Sequence, residues 1–241
     1  SLFCDISGCL VNTSIVNNLR QIQKDITAHE HSAQRDSASV ALLAVSKRKP
    51  AADIVAAYDA GQREFGESFV QEALEKISVL RNVRPDIVWH FIGRMQSNKI
   101  KMVAAEFDWV QTVASIKIAE KLNMHRPKDL PPLNVCIQVN ISEEPHKAGV
   151  AYGAVFDLAN YISNCSHLTF RGVMAMGLAN ADEASLAQMF GHLSDIYGKL
   201  KLAFPSVDTL SLGMSHDMRA AINSGSTMVR IGTALFGVRD E

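Results

Sequence analysis

The stretch VALLAVSKRKPAADIVAAYDAGQREFG, residues 40–66, contains one complete strand–helix–strand unit. Residues 40–45 are six apolar positions in a row, too short a run for a helix and right for a buried strand. Pro50 falls where the first turn of a helix tolerates a missing N–H. Ile54, Val55 and Tyr58 then share one face, and Gly61 ends the helix. Glu64, Phe65 and Gly66 form a brief second strand. A helix between two neighbouring strands returns the chain to the end where it started, so the strands run parallel.

The alternation continues outward. Strands are predicted at residues 87–92, 109–113, 134–140, 168–174, 209–212 and 228–231. The predicted helices lie around Val70 to Ile77, at 98–105, up to about 122, at 154–162, along Leu186 to Tyr197, and up to about 224. Before the first strand, Val16, Leu19, Ile22 and Ile26 recur at helical spacing, so residues 13–30 read as an extra N-terminal helix and residues 31–39 as a loop. Eight short apolar strands alternating with helices specify a parallel sheet, and the absence of an obvious edge strand favours closure. The expected fold is α/β: a single (β/α)8 barrel of the TIM type. No G-x-G-x-x-G follows the first strand, which argues against an open dinucleotide-binding sheet. Residues 1–12 are expected to be a disordered tail, and residues 13–241 to be one barrel domain with no room for a second.

The 241 residues are 47% hydrophobic, enough for a full core, and carry 24 basic against 25 acidic side chains, a net charge of −1. Lys47, Arg48 and Lys49 are the densest basic cluster, and three residues make no nucleic-acid footprint. Cysteines 4, 9, 136 and 165 follow no zinc or disulfide pattern, which fits a reducing cytoplasm. No apolar run is long enough to span a bilayer, and Asp5 with no basic leader makes the start a poor signal peptide. No nucleic-acid, membrane or metal partner is expected, and a cytoplasmic monomer is.

In a parallel barrel the reactive face lies at the C-terminal ends of the strands. After strand one comes Lys47, which shares parity with Leu43 and Val45. If that face is the barrel interior, its amine enters the mouth, where partial desolvation favours the neutral, nucleophilic form. The alternative is a solvated lysine in a loop. After strands seven and eight come Gly213-Met214-Ser215 and Gly232-Thr233. Loops at those two positions often bind phosphate, with glycine admitting backbone N–H groups and Ser215 and Thr233 adding hydroxyls; two ordinary turns are the bland alternative. Arg230 lies inside strand eight, where a guanidinium needs a bonded partner. Its parity with Gly232 points it toward the mouth. His90, Asn140 and Met174 are further mouth candidates, His90 reading equally as a satisfied core histidine.

Taken in order, Ala44-Val45-Ser46-Lys47, Phe65-Gly66-Glu67, Trp89-His90-Phe91-Ile92-Gly93, Gln96-Ser97-Asn98-Lys99, Gln138-Val139-Asn140 and Gly213-Met214-Ser215 resemble the pyridoxal phosphate homeostasis protein family. The most specific motif is the run from Gly225 to Thr233, GSTMVRIGT. The resemblance covers nearly the whole chain from about residue 15. It implies a fold like the N-terminal barrel of alanine racemase and pyridoxal 5′-phosphate (PLP) held as a Schiff base on Lys47. It also implies that Ser215, Gly232 and Thr233 hold the phosphate and that Arg230 faces the pyridine nitrogen. Ser68 stands where the family usually has Asn, and Arg94, Met95 and His216 also depart from the common pattern.

Two further considerations favour a carrier over a catalyst. The cofactor ring is the better electron sink when its nitrogen is protonated by an acid, and an arginine with a pKa above ~12 does not give up its proton. A racemase also needs a second base; Tyr58, Tyr161 and Tyr197 fall on helices and Tyr152 sits at a helix start. The expected function is therefore storage or delivery of vitamin B6 without significant turnover, with apo PLP-dependent enzymes as recipients. The alternatives are a weak amino-acid racemase or decarboxylase, and a Schiff-base aldolase using the same lysine and phosphate loops without cofactor.

Overall fold

The protein is represented by a computed structural model that describes residues 12–142 and 144–238. Eight parallel strands close into a barrel in simple sequence order, β1 to β8. They are β1 (Ala41–Val45), β2 (Glu64–Glu67), β3 (Val88–Phe91), β4 (Trp109–Val113), β5 (Leu133–Gln138), β6 (Leu168–Met174), β7 (Thr209–Ser211) and β8 (Met228–Ile231). Closure comes from β1 pairing with β8, Leu43 opposite Arg230 and Ala44 opposite Ile231. The helices are α1 (Thr13–Ser32), α2 (Ala51–Asp59), α3 (Val70–Leu80), α4 (Ile100–Glu106), α5 (Ile116–His125), α6 (Val155–Ser163), α7 (Glu183–Ala203), α8 (Met218–Asn223) and α9 (Thr233–Phe236). Among the described residues no helix is long and apolar enough to cross a membrane.

Strand parity divides the molecule into two layers. Phe65, Phe91, Val110, Val173 and Val229 are fully buried in the large apolar core between sheet and helices. The barrel interior is different: Trp109, Cys136 and Met174 form a small separate cluster there, and Glu64, His90, Gln111, Ser211 and Arg230 are hydrogen-bonded to one another. A polar interior is unusual for such a barrel, which is normally filled by branched aliphatics.

The extra N-terminal helix is present and packs against α2, α8 and α9. Its inward face is Ile15, Leu19, Ile22 and Ile26, and the buried Glu30 accepts from the backbone N–H groups of Ala38 and Val40, fixing the turn into β1. Asn12 was counted with the expected tail. Its side chain instead caps α1 by accepting from Ile15 N. The rest of that tail, with Cys4 and Cys9, lies outside the described residues. Boundaries moved by a residue or two where side chains cap backbone. The fifth strand stops at Gln138 rather than Asn140, because Asn140 Oδ1 accepts from Ser142 N and turns the chain. The helix after β7 begins at Met218, once Asp217 Oδ1 has accepted from Met214 N and closed a turn.

Candidate functional site

At the C-terminal mouth lies a cavity of about 240 Å³ whose lining includes Lys47, Ser68, Ser215, Arg230, Gly232 and Thr233. Each arrives from a strand end: Lys47 two residues beyond β1, Ser68 one beyond β2, Ser215 in the turn after β7, Arg230 inside β8, and Gly232 and Thr233 just after it. A larger hollow at the opposite face, about 690 Å³, is lined by the starts of β3, β4 and β5 and offers no lysine, serine, threonine or tyrosine. Of these two cavities, the smaller one therefore holds the amine and hydroxyl side chains.

The loop carrying Lys47 is clamped from behind. Arg48 adopts a left-handed backbone, φ 60°, and its N–H donates to Glu72 Oε1. Lys76 Nζ, buried on α3, donates to Ser46 O at 2.8 Å, to Glu67 Oε1 at 2.6 Å and to Glu72 Oε1 at 2.8 Å. Glu67 is fully buried. Burial pushes its carboxyl up to about 7, although the Lys76 ammonium pulls the other way. Two residues from Lys47, Lys49 also lines the cavity, with its Nζ donating to Val238 O at 2.9 Å.

Gly213 shapes the turn after β7. Its φ is +105°, and a Cβ there would lie 2.6 Å from the Ala221 Cβ. Its carbonyl accepts from Arg230 N at 2.9 Å, which ties this turn to β8. At Gly232 a Cβ would approach the Val45 carbonyl oxygen to 3.2 Å, so the β8 loop runs close against the end of β1.

Arg230 is 2% exposed. One terminal nitrogen, Nη1, donates to Ser211 Oγ at 2.8 Å, and the other, Nη2, to Ala175 O at 2.8 Å and to Met176 Sδ at 3.4 Å. Burial lowers its pKa to about 10, below the value above ~12 expected from sequence, while the Asp217 carboxylate opposes that shift. At pH 7 it is still a cation.

Of the eight residues singled out in the sequence, Lys47, Ser215, Arg230, Gly232 and Thr233 line this cavity and His90, Asn140 and Met174 do not. His90 and Met174 have the inward parity but sit one layer too deep. Two residues further along their strands, Ile92 and Met176 reach the lining in their place. His90 is wholly buried, stacked on Trp109 at 4.9 Å and bonded to Glu64 and Gln111. Asn140 spends its amide on the carbonyl of Glu144 at 2.8 Å, stabilising its own loop. Sequence reasoning missed Lys49, Met176 and the clamp made by Glu67, Glu72 and Lys76. It also missed Gln111 and Ser211, though a polar residue within an apolar strand was a visible signal for both.

With that site at the mouth of a closed parallel barrel, the chain matches the family model of the alanine racemase N-terminal domain over residues 17–240. The chain belongs to that family and, within it, to the pyridoxal phosphate homeostasis proteins. It is 49% identical over 229 residues to the protein of that name from Pasteurella multocida, covering 94% of this chain and 98% of the relative. The Escherichia coli K12 protein of the same name is 45% identical over 227 residues, covering 94% and 97%. Among solved structures, PipY of Synechococcus elongatus with PLP bound superposes with a TM-score of 0.80 at 33% identity, covering 92% of this chain and all of that one.

Proposed function

We propose that this chain binds PLP at the mouth of its barrel, covalently through the Lys47 amine, and keeps it available for delivery. The observation that carries the reading is the convergence of Lys47, Arg230, Ser215 and the Gly232–Thr233 turn on one cavity of small-molecule size. The donor set fits the cofactor. Hydroxyls and exposed backbone N–H groups suit a phosphate, a guanidinium suits a pyridine nitrogen, and a primary amine suits an aldehyde. When bound, PLP supplies that aldehyde and an aromatic ring that can take up electrons.

The residues around it are built for holding. Ser215, Gly232 and Thr233 anchor the anionic end. The Lys76 clamp fixes the backbone on either side of Lys47, so the amine is presented from a rigid loop. Arg230 retains its proton at neutral pH, which leaves a ring nitrogen opposite it unprotonated. No tyrosine lines the cavity among the described residues. Recipient apo-enzymes, a monomeric state and a cytoplasmic location complete the proposal.

One observation keeps a second reading, weak racemisation or decarboxylation, in play: His216 lines the cavity, with its Nε2 3.4 Å from Asp217 Oδ2, and is the side chain placed to move a proton there. The two readings part on turnover. Loaded protein incubated with L-amino acids in deuterated water should exchange their α-protons no faster than free cofactor does, by NMR. Many turnovers per minute, abolished by His216→Ala, would replace the carrier reading with the catalytic one.

A further inference from the structure

Arg230 poses an electrostatic problem. A buried guanidinium is costly unless its charge is balanced, yet among the described residues no carboxylate lies within 4 Å of it. The Asp217 carboxylate acts on it only through space; the direct bonds run through the barrel. Arg230 Nη1 donates to Ser211 Oγ at 2.8 Å. Ser211 Oγ donates to Gln111 Oε1 at 2.6 Å. Gln111 Nε2 meets His90 Nδ1 at 2.9 Å, and His90 Nε2 meets Glu64 Oε1 at 3.1 Å. The three middle residues are completely buried. Glu64 is 30% exposed and lines a groove of about 500 Å³ at the opposite, N-terminal face of the barrel.

The two ends fix the direction of the chain. A guanidinium can only donate and a carboxylate can only accept. With the buried ring neutral, His90 must therefore carry its proton on Nε2 and accept at Nδ1. Gln111 must then turn its NH₂ to the histidine and its oxygen to Ser211, whose lone pair faces Arg230. Every bond donates the same way, and aligned bonds of this kind polarise one another. The opposite orientation of Gln111 would require a protonated Nδ1, and so either a bare Nε2 facing a carboxylate or a charged ring in a fully buried place.

We propose that Ser211, Gln111, His90 and Glu64 are positioning residues that hold and orient Arg230 from the far face of the barrel, leaving its remaining N–H groups for the ring nitrogen of the cofactor. A carboxylate in direct contact would claim those donors in a bidentate pair. A relayed one does not. The proposal rests on the PLP reading given above. Burial keeps His90 neutral, which the relay requires. The charged groups facing it are Glu64 and Asp108, which favour protonation, and Arg171, which opposes it.

The test has two arms. In cofactor-free protein labelled with ¹⁵N-histidine and ¹⁵N-arginine, His90 should show a bare Nδ1 and a protonated Nε2 at neutral pH, and Gln111→Leu should shift the guanidinium signals of Arg230. A protonated Nδ1 overturns the relay, whatever the protein binds. In the second arm, PLP is compared with its analogue in which the ring nitrogen is replaced by C–H. Gln111→Leu, and separately Glu64→Gln at the more tolerant exposed end, should weaken PLP about three- to tenfold while leaving the analogue within about twofold. Equal losses for both ligands mean the residues are merely structural and overturn the proposal. If wild-type protein binds neither ligand, the PLP reading falls, and the histidine tautomer alone decides the relay.

Discussion

Replacing Glu67 by Gln should make the protein more stable at alkaline pH and leave it nearly unchanged at acid pH. Glu67 is fully buried, and its one ionic partner among the described residues, Lys76, is shared with Glu72 and the Ser46 carbonyl. Desolvation lifts its carboxyl from the ordinary 4.5 to about 7. Between those values the folded protein binds more protons than the unfolded chain, so this group's contribution to stability falls as pH rises. At about 1.4 kcal/mol per pKa unit, the ionised side chain costs about 3 kcal/mol by pH 8 and under about 1 kcal/mol at pH 5. Glutamine copies the protonated form at every pH and still offers an oxygen to Lys76. Urea unfolding of both proteins at pH 5, 6, 7 and 8 measures the effect. The variant should match wild type at pH 5 and exceed it by roughly 2–3 kcal/mol at pH 8. Parallel pH profiles, or a variant less stable at pH 8, would show that Lys76 fully compensates the carboxylate and would refute the argument.

Ser215→Ala combined with Thr233→Val should weaken PLP by about 1.5–3 kcal/mol per lost charge-assisted bond, and phosphate-free pyridoxal hardly at all; titrations of both ligands followed by tryptophan fluorescence separate this from general damage. Gly213→Ala forces a Cβ into left-handed backbone and to within 2.6 Å of the Ala221 Cβ, so a loss of about 2 kcal/mol and a Tm lowered by about 4–8 °C are expected in a thermal melt.

The barrel was legible because its evidence is periodic. The residue 40–66 unit, repeated around the chain, specifies parallel strands wherever local boundaries fall, and an error of two residues at Asn140 changes nothing global. The site was legible only as far as parity reaches. Parity says that Lys47, His90, Met174 and Arg230 face inward; it does not say at what depth, and depth separates the two that line the cavity from the two beneath it. Depth depends on strand stagger around the closed barrel, which no single strand encodes. The Lys76 clamp was invisible for a different reason. Lys76 and Glu72 sit on α3 at ordinary helical spacing, and only tertiary packing brings them beneath the Lys47 loop.

Covalent attachment is the claim on which the functional account stands, and borohydride reduction of PLP-loaded protein followed by peptide mapping addresses it directly. Lys47 and Lys49 both line the cavity, so the peptide map must tell them apart. The account predicts one stable label per chain, on Lys47, lost in Lys47→Ala. Label on Lys49 or Lys99, or full labelling of the Lys47→Ala protein, would contradict it.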